Sequence, residues 1–573
     1  MKKRRWLALA AAVTAVAAFW WFSGEPGAGG AAVSERALQS PAADAAALSA
    51  RLIPGADLPP QGTRSLFDHL IAQNEALPYP FEKLVALLQK QNPQGQPPLT
   101  LMIPDGRSLL KASANYQHPR VLVAADFQAP DNDVSLGLAP RGQLFLGFVE
   151  NAAEIEVLSY NEAAGRFEFQ LVQNYSADGE RRIVYARRQI CTTCHQGAAP
   201  IFPQRPWNET NGQPETAAKI VEARGSDAPY LAAPLANPLG VPERFDQLTD
   251  VGNFIPATQR VWIDGCAQNA DCRRQMLKLA LLYLWNPAEF DAQGAEAWKL
   301  RGLQAASWPA SGIAVAESDL PNRDPLGERK GVKGFFRGLF QRKAPPGAGA
   351  RDNEDLEAFD KLPKLPGTLD PLTPRLPKRV LSAQEVDGAF GLAALFSDSD
   401  FKTLESAAGY KQERLLAAVD QLGAKFLEAE PFVRVKAMNA LLAALQMPGL
   451  AYCCLDASEM SPPVEAGVPK VEISAGSPLK NFEQYCFGCH RGNPARRLDF
   501  MAGATEAQVL ANLKAKSEIR DALDWERYKG TDKESKLMPP ADAPQRAKLI
   551  EALQKNPKLL DEMRAVVPGL FDF

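Results

Sequence analysis

Histidine and net charge are what this sequence has least of. Its 573 residues include four histidines, and 64 Lys and Arg are offset by 67 Asp and Glu to a formal net charge of −3. Without a basic excess there is no electrostatic footprint for a nucleic-acid partner, and none is expected. A Gly-rich nucleotide loop, a G-x-S-x-G nucleophile elbow and an H-E-x-x-H zinc motif are all missing. The usual signatures of nucleotide binding, serine hydrolysis and zinc proteolysis are therefore gone. What is present in ordinary amounts is core material, with 46% hydrophobic and 23% charged residues, the proportions of a soluble globular protein. The length exceeds one ordinary core and suggests roughly two to four domains.

The N-terminus sets an expected compartment. Lys2, Lys3, Arg4 and Arg5 precede a 17-residue apolar run from Trp6 to Phe22, which reads as an export signal over residues 1–30. A run of this length is at the lower limit for crossing a bilayer, and Trp20, Trp21 and Phe22 suit an interfacial belt. Cleavage near Gly27–Ala32 and retention as an inner-membrane tether both stay open. In either case the body is expected in the periplasm of a Gram-negative bacterium.

Eight cysteines fall into four pairs, 191/194, 266/272, 453/454 and 486/489, and two pairs run directly into histidine, as CTTCH and CFGCH. Thiols three positions apart can form thioethers with the two vinyl groups of one haem, and the adjacent histidine can then ligate its iron. Cys191, Cys194 and His195, and Cys486, Cys489 and His490, are thus candidate attachment sites for two covalently bound haem c groups. A structural zinc would need four ligands together, yet 295 residues separate the two motifs. A thioredoxin-like redox pair would not need the histidine. In an oxidising compartment the other cysteines are expected to be bonded. Cys266 and Cys272, in GCAQNADC ahead of the apolar stretch Arg274–Trp285, are candidates for a local disulfide. Cys453 and Cys454 are neighbours, to be read either as a vicinal disulfide or as thiols.

Around CFGCH the pattern is helical, with apolar periodicity in Glu506–Leu513, Gln545–Leu553 and Pro557–Val567. KLMPP places Met538 48 residues after His490. A thioether sulfur is a usual sixth haem ligand, and the two prolines stiffen its loop. Met501 is a reserve candidate that follows His490 closely. Residues 475–573 resemble class I c-type cytochromes, whose distal methionine sits in such an M-P-P context. The resemblance implies a low-spin haem ligated by His490 and Met538, with Trp525 and Tyr528 packed nearby.

The segment before CTTCH is of another kind. Gly142–Val149, Glu154–Tyr160, Arg166–Tyr175 and Arg181–Ala186 are rich in Phe, Val, Ile and Tyr, and predict an antiparallel meander. Asp178-Gly179 is a hairpin signal. After His195, prolines at 200, 203 and 206 predict an irregular wrap in which Ile201, Phe202 and Trp207 are available to cover a porphyrin. No M-P-P element accompanies this motif. Candidate sixth ligands are His118, preferred because NYQHPR reads as a loop, then His69, Met102 and Met276, or an open iron. The combination of a strand-rich N-terminal half, CxxCHQG, a P-W-x-E-T-N stretch and a later CxxCH…MPP resembles a group of proteobacterial dihaem cytochrome proteins. It departs from dihaem cytochrome c peroxidases, because the motifs lie farther apart and no paired cytochrome fold surrounds CTTCH.

The expected architecture is α+β and multidomain. Residues 31–60 read as a flexible tether and 61–303 as a strand-rich domain with the first haem. Residues 304–380 read as a Pro/Gly-rich linker or insertion, with basic and Phe residues at 329–342 that suit a solvated loop. Residues 381–474 are expected to be helical, packing on the mainly α cytochrome c domain at 475–573. The function this predicts is one-electron transfer between redox partner proteins. The alternative is a peroxidase- or oxygenase-like enzyme in which an open first haem is fed by the second. A third class is a haem-bearing subunit that scaffolds a complex.

Overall fold

In the computed structural model the described residues run from 57 to 571. They exclude 73–75, 91–97, 106–113, 126–141, 193–194, 201, 203–206, 226–239, 317–321, 331–378, 452–453, 467–472, 492–500, 502, 504, 532 and 541–542. The signal segment, most of the linker, Cys194 and Cys453 therefore lie outside the described residues. All described residues belong to one compact unit, Ala42–Phe573. Among them no helix is long and apolar enough to cross a membrane.

The sheet is an antiparallel meander of six strands in sequence order: β1 (Leu99–Ile103), β2 (Arg120–Ala124), β3 (Leu144–Val149), β4 (Glu154–Asn161), β5 (Arg166–Gln173) and β6 (Arg182–Tyr185). Four of these are the predicted runs; β1 and β2 extend the sheet beyond them. The register pairs Phe145 with Leu158 and Leu158 with Phe169, so these side chains share a face with Leu122 and Leu101. The opposite face carries Met102, Val121, Leu146, Ile155 and Val157.

Both faces are buried. The helices Leu66–Ala72 and Phe81–Lys90 contribute Phe67, Leu70, Leu84 and Leu88 to the core on the Met102 face. On the other face lie Gly240–Arg260 and Ala270–Trp285, with Ile255, Trp262, Met276 and Leu279 in one core with Phe145 and Phe169. Cys266 and Cys272 form a disulfide at the entrance to the second of these helices, where the Asn269 side chain caps the turn by accepting from the Cys272 amide at 3.0 Å.

The helical region after 381 sits elsewhere than expected. Its helices Asp387–Ala393, Gln412–Asp420 and Arg434–Ala444 join the first core through Leu392, Leu415, Val419, Met438 and Leu441, and do not build the core of the C-terminal domain. Polar ties hold them there: Gln259 bonds both the amide and the carbonyl of Phe432, and Arg273 donates to the Leu427 carbonyl at 2.9 Å. The apolar pattern shows that a helix has a face to bury but does not say against what. The ends of the expected linker are also strapped together, as β7 (Ile313–Val315) pairs antiparallel with β8 (Arg379–Leu381).

The chain from Ile473 onward has a hydrophobic core of its own. Phe482, Phe487, Val509, Leu513, Trp525, Leu549 and Met563 are buried together on the short helices of this stretch. The fold is thus α+β, with a sheet in the N-terminal part and helices after it.

Candidate functional site

In both CxxCH motifs the same backbone bond joins the histidine to the first cysteine. The His195 amide donates to the Cys191 carbonyl at 2.9 Å, and the His490 amide to the Cys486 carbonyl at 3.0 Å. An i to i−4 bond puts the first cysteine and the histidine one above the other on a single face. The first cysteine lies in the helix Arg188–Thr192, and the second motif contains the helix Phe487–His490. Cys191, Cys486 and Cys489 are in no disulfide. Cys454 is in one, with a partner outside the described residues.

His195 is oriented on both sides of its ring. Nδ1 lies 3.1 Å from the Ala199 carbonyl, so the N–H sits there and Nε2 is left as the electron-pair donor. The ring packs against Phe169 and Phe202, with centroids at 6.0 and 5.7 Å. Phe202 continues into Phe145, Trp207 and Phe245. Burial pushes the imidazole down to about 4, against the pull of the Ala199 carbonyl; Arg120 lowers it further and Glu156 works the other way. A neutral imidazole is the form that ligates a metal.

The sheet separates the candidate sixth ligands. His69 and Met102 belong to the face opposite Phe169 and His195. His118 is held at the surface, with Nδ1 2.6 Å from Glu150. Met276 is fully buried among the helices of the first core.

At the second motif, Met501 donates its amide to the His490 carbonyl at 2.9 Å, which ties its backbone to the histidine's own. The Met538 loop is fixed by other elements: its amide donates to Ala522 at 3.0 Å, and its carbonyl accepts from Trp525 Nε1 at 3.3 Å. Arg546 donates to the Pro539 carbonyl at 3.0 Å and stacks 3.9 Å from the Trp525 ring centre. Trp525 and Tyr528 are buried in the same core as Cys486 and Phe487. Burial pushes the Cys486 thiol up to about 12; a thioether at that position would have no charge to desolvate.

Does a haem suit these residues? Three donor atoms near the first turn are buried without an acceptor, Trp207 Nε1 and the Nε and Nη2 of Arg188, while Trp207 and Arg188 are each 1% exposed. Buried donors without acceptors are costly, and an anionic group such as a haem propionate would satisfy them. Among the described residues no three His, Cys, Asp or Glu are grouped to hold a bare metal ion. A haem brings four equatorial nitrogens of its own and asks the chain for axial ligands and thiols only.

The sequence offered no pointer to the Ala199 carbonyl, to Arg188, or to the Arg120–Glu156 pair beside His195. The Arg120–Glu156 pair depends on strand register, since the two stand on β2 and β4. No family model matches this chain, and no curated protein or solved structure matches it either.

Proposed function

We propose that this chain is an exported dihaem c-type cytochrome that transfers single electrons between redox partner proteins. The observation that carries this reading is the shared turn. Two CxxCH segments in unrelated surroundings each set the first cysteine and the histidine on one face, through the same amide-to-carbonyl bond. Haem c, once attached, supplies iron cycling between Fe(III) and Fe(II). Cys191 with Cys194, and Cys486 with Cys489, would hold the two groups covalently. His195 and His490 would each ligate an iron, and Met538 on its braced loop would add a thioether ligand at the C-terminal site. His195 would be held as a neutral ligand by the Ala199 carbonyl, with Phe169 and Phe202 packed against its ring.

A second reading, an enzyme with an open first haem fed by the second, draws support from the sheet. It puts His69 and Met102 on the far side from His195, and Glu150 engages His118. Spin state separates the two readings, because a low-spin first haem that binds neither cyanide nor carbon monoxide sinks the enzyme.

The test of the main reading is haem content after expression with a c-haem maturation system. Two haems per chain should survive denaturation. Cys191→Ala with Cys194→Ala, or Cys486→Ala with Cys489→Ala, should each leave one. A chain that exports and folds without covalent haem would refute the proposal.

A further inference from the structure

Arg187 is common to both candidate haem sites. It stands four residues before Cys191, and its Nη1 donates to the carbonyls of Phe487 at 3.1 Å, Gly488 at 3.1 Å and Arg491 at 2.9 Å. Phe487 and Gly488 are the two residues between Cys486 and Cys489, and Arg491 directly follows His490. Cα atoms of the helices Arg188–Thr192 and Phe487–His490 approach within 8 Å of each other. A second tie lies two residues upstream. The Tyr185 amide donates to the Val464 carbonyl at 2.7 Å, and the Tyr185 carbonyl accepts from the Ala466 amide at 2.9 Å, a parallel bridge at Glu465.

Carbonyls in the last turn of a helix carry partial negative charge and can accept from outside it; the Phe487 carbonyl takes Arg187 beside the Arg491 amide, which donates to it at 3.2 Å. The charged Nη1 of Arg187, shared among the three carbonyls, makes charge-assisted bonds that gather them on one side chain. The stretch Tyr185-Ala186-Arg187 therefore fastens one CxxCH turn to the other, although 295 residues separate their first cysteines.

We infer that Arg187 is a positioning residue that fixes the two CxxCH turns against each other, so that haems attached there exchange electrons directly within one chain. In that exchange one iron goes from Fe(II) to Fe(III) as the other goes from Fe(III) to Fe(II), with no bond made and no proton moved. The inference rests on reading both motifs as haem c sites. It adds that the two act as one redox pair, not as independent carriers on a common scaffold.

The experiment uses the full chain carrying both haems. After rapid partial reduction, electron redistribution between the haems is followed over a range of protein concentrations, and the fully ferric and half-reduced forms are compared by electron paramagnetic resonance. Direct exchange predicts a redistribution rate independent of protein concentration, and a ferric signal at each haem that changes when the other is reduced. Arg187→Met, with both haems retained, should slow the exchange and lose that mutual effect. Arg187→Lys, which keeps a charged nitrogen donor on a shorter side chain, should recover it in part. Redistribution that scales with protein concentration in the unsubstituted chain overturns the inference even if Arg187→Met does not fold. So does an Arg187→Met protein that exchanges at the unsubstituted rate. A chain without covalent haem would instead sink the underlying reading, so the two failures are told apart by the haem count.

Discussion

The two CxxCH turns share a hydrogen bond and almost nothing else. Around His490 the packing partners come from the last hundred residues, a small helical core in which Phe482, Leu513 and Leu549 meet over short sequence distances. Around His195 they come from far apart. Phe145 is on β3, Phe169 on β5, Phe202 follows the motif and Phe245 is on the long helix Gly240–Arg260. Beyond that shell the same core reaches Leu441, near the end of the helical region. A compact local domain can present a redox group to a partner with little regard for the rest of the chain. A site built from four distant segments is exposed to every change in how they pack, and that is where tuning of a first haem would be written.

If the two cores are distinct, damage should stay local. Leu549 is fully buried in the C-terminal core and Leu279 is 1% exposed in the first. Each Leu→Ala change should cost about 2–5 kcal/mol. Leu549→Ala should shift only the unfolding transition of the C-terminal core in chemical denaturation, and Leu279→Ala only that of the first. A single transition moved by both would show that the cores unfold together and break the comparison.

The next effect is a pH dependence confined to the first region. Burial, followed by the charge of Arg64, pushes His69 down to about 4, and its Nε2 is buried without a partner. Because the folded value lies below the ordinary 6.5, the unfolded chain binds more protons between these limits. Stability is therefore full above about pH 6.5 and falls toward pH 4. The loss is about 3 kcal/mol when the imidazole must charge or the chain unfold. Asp68, Glu162 and Glu168 are pushed upward by burial and act in the opposite sense, losing stability as pH rises. The His69 share is the difference between the unsubstituted chain and His69→Gln across that window. Equal slopes in the two would remove it.

How much of this contrast could be read beforehand depends on the range of the forces involved. The cysteine spacing and the histidine after it are local, and so is the helical turn they adopt. β3 to β6 were legible because Val, Ile and Phe runs are punctuated by turn residues such as Asn161–Gly165 and Asp178-Gly179. β1 was not, since LTLMI is buried at every position and gives no alternation to count. The short loop GCAQNADC ahead of an apolar helix made the Cys266–Cys272 pairing readable within eight residues. The reach of Arg187 across 300 residues to Phe487 leaves no trace in either segment. Nor does the docking of Phe432 onto Gln259, which is why the helices after 381 were expected on the wrong core.

That disulfide gives the third test. It closes a loop of six residues' separation, and loop-closure entropy assigns such a link about 2 kcal/mol. Cys266→Ala with Cys272→Ala should lower the stability of the first region by about that amount and leave the C-terminal transition where it was. A shift of both transitions would mean that the entrance to Ala270–Trp285 also supports the second core.

The smallest effect is the most local. A Cβ on Gly147 would meet Arg120 Nη2 at 2.7 Å and Nε at 3.0 Å, so Gly147→Ala displaces the guanidinium across β2 and β3 from its bond to Glu156. The displaced group is the end of a flexible side chain, so the stability cost should stay near 1 kcal/mol. The electrical consequence is directional. Arg120 and Glu156 are charges felt by His195. Moving the cation away while leaving the carboxylate favours the more positive Fe(III) state at that site. With haems attached as proposed, the potential at the His195 site should fall while that at the His490 site stays fixed, measured by redox titration with each haem resolved. A potential that moves equally at both haems would place the Arg120–Glu156 pair in the field of the whole dihaem unit and erase the distinction between a tuned site and a self-contained one.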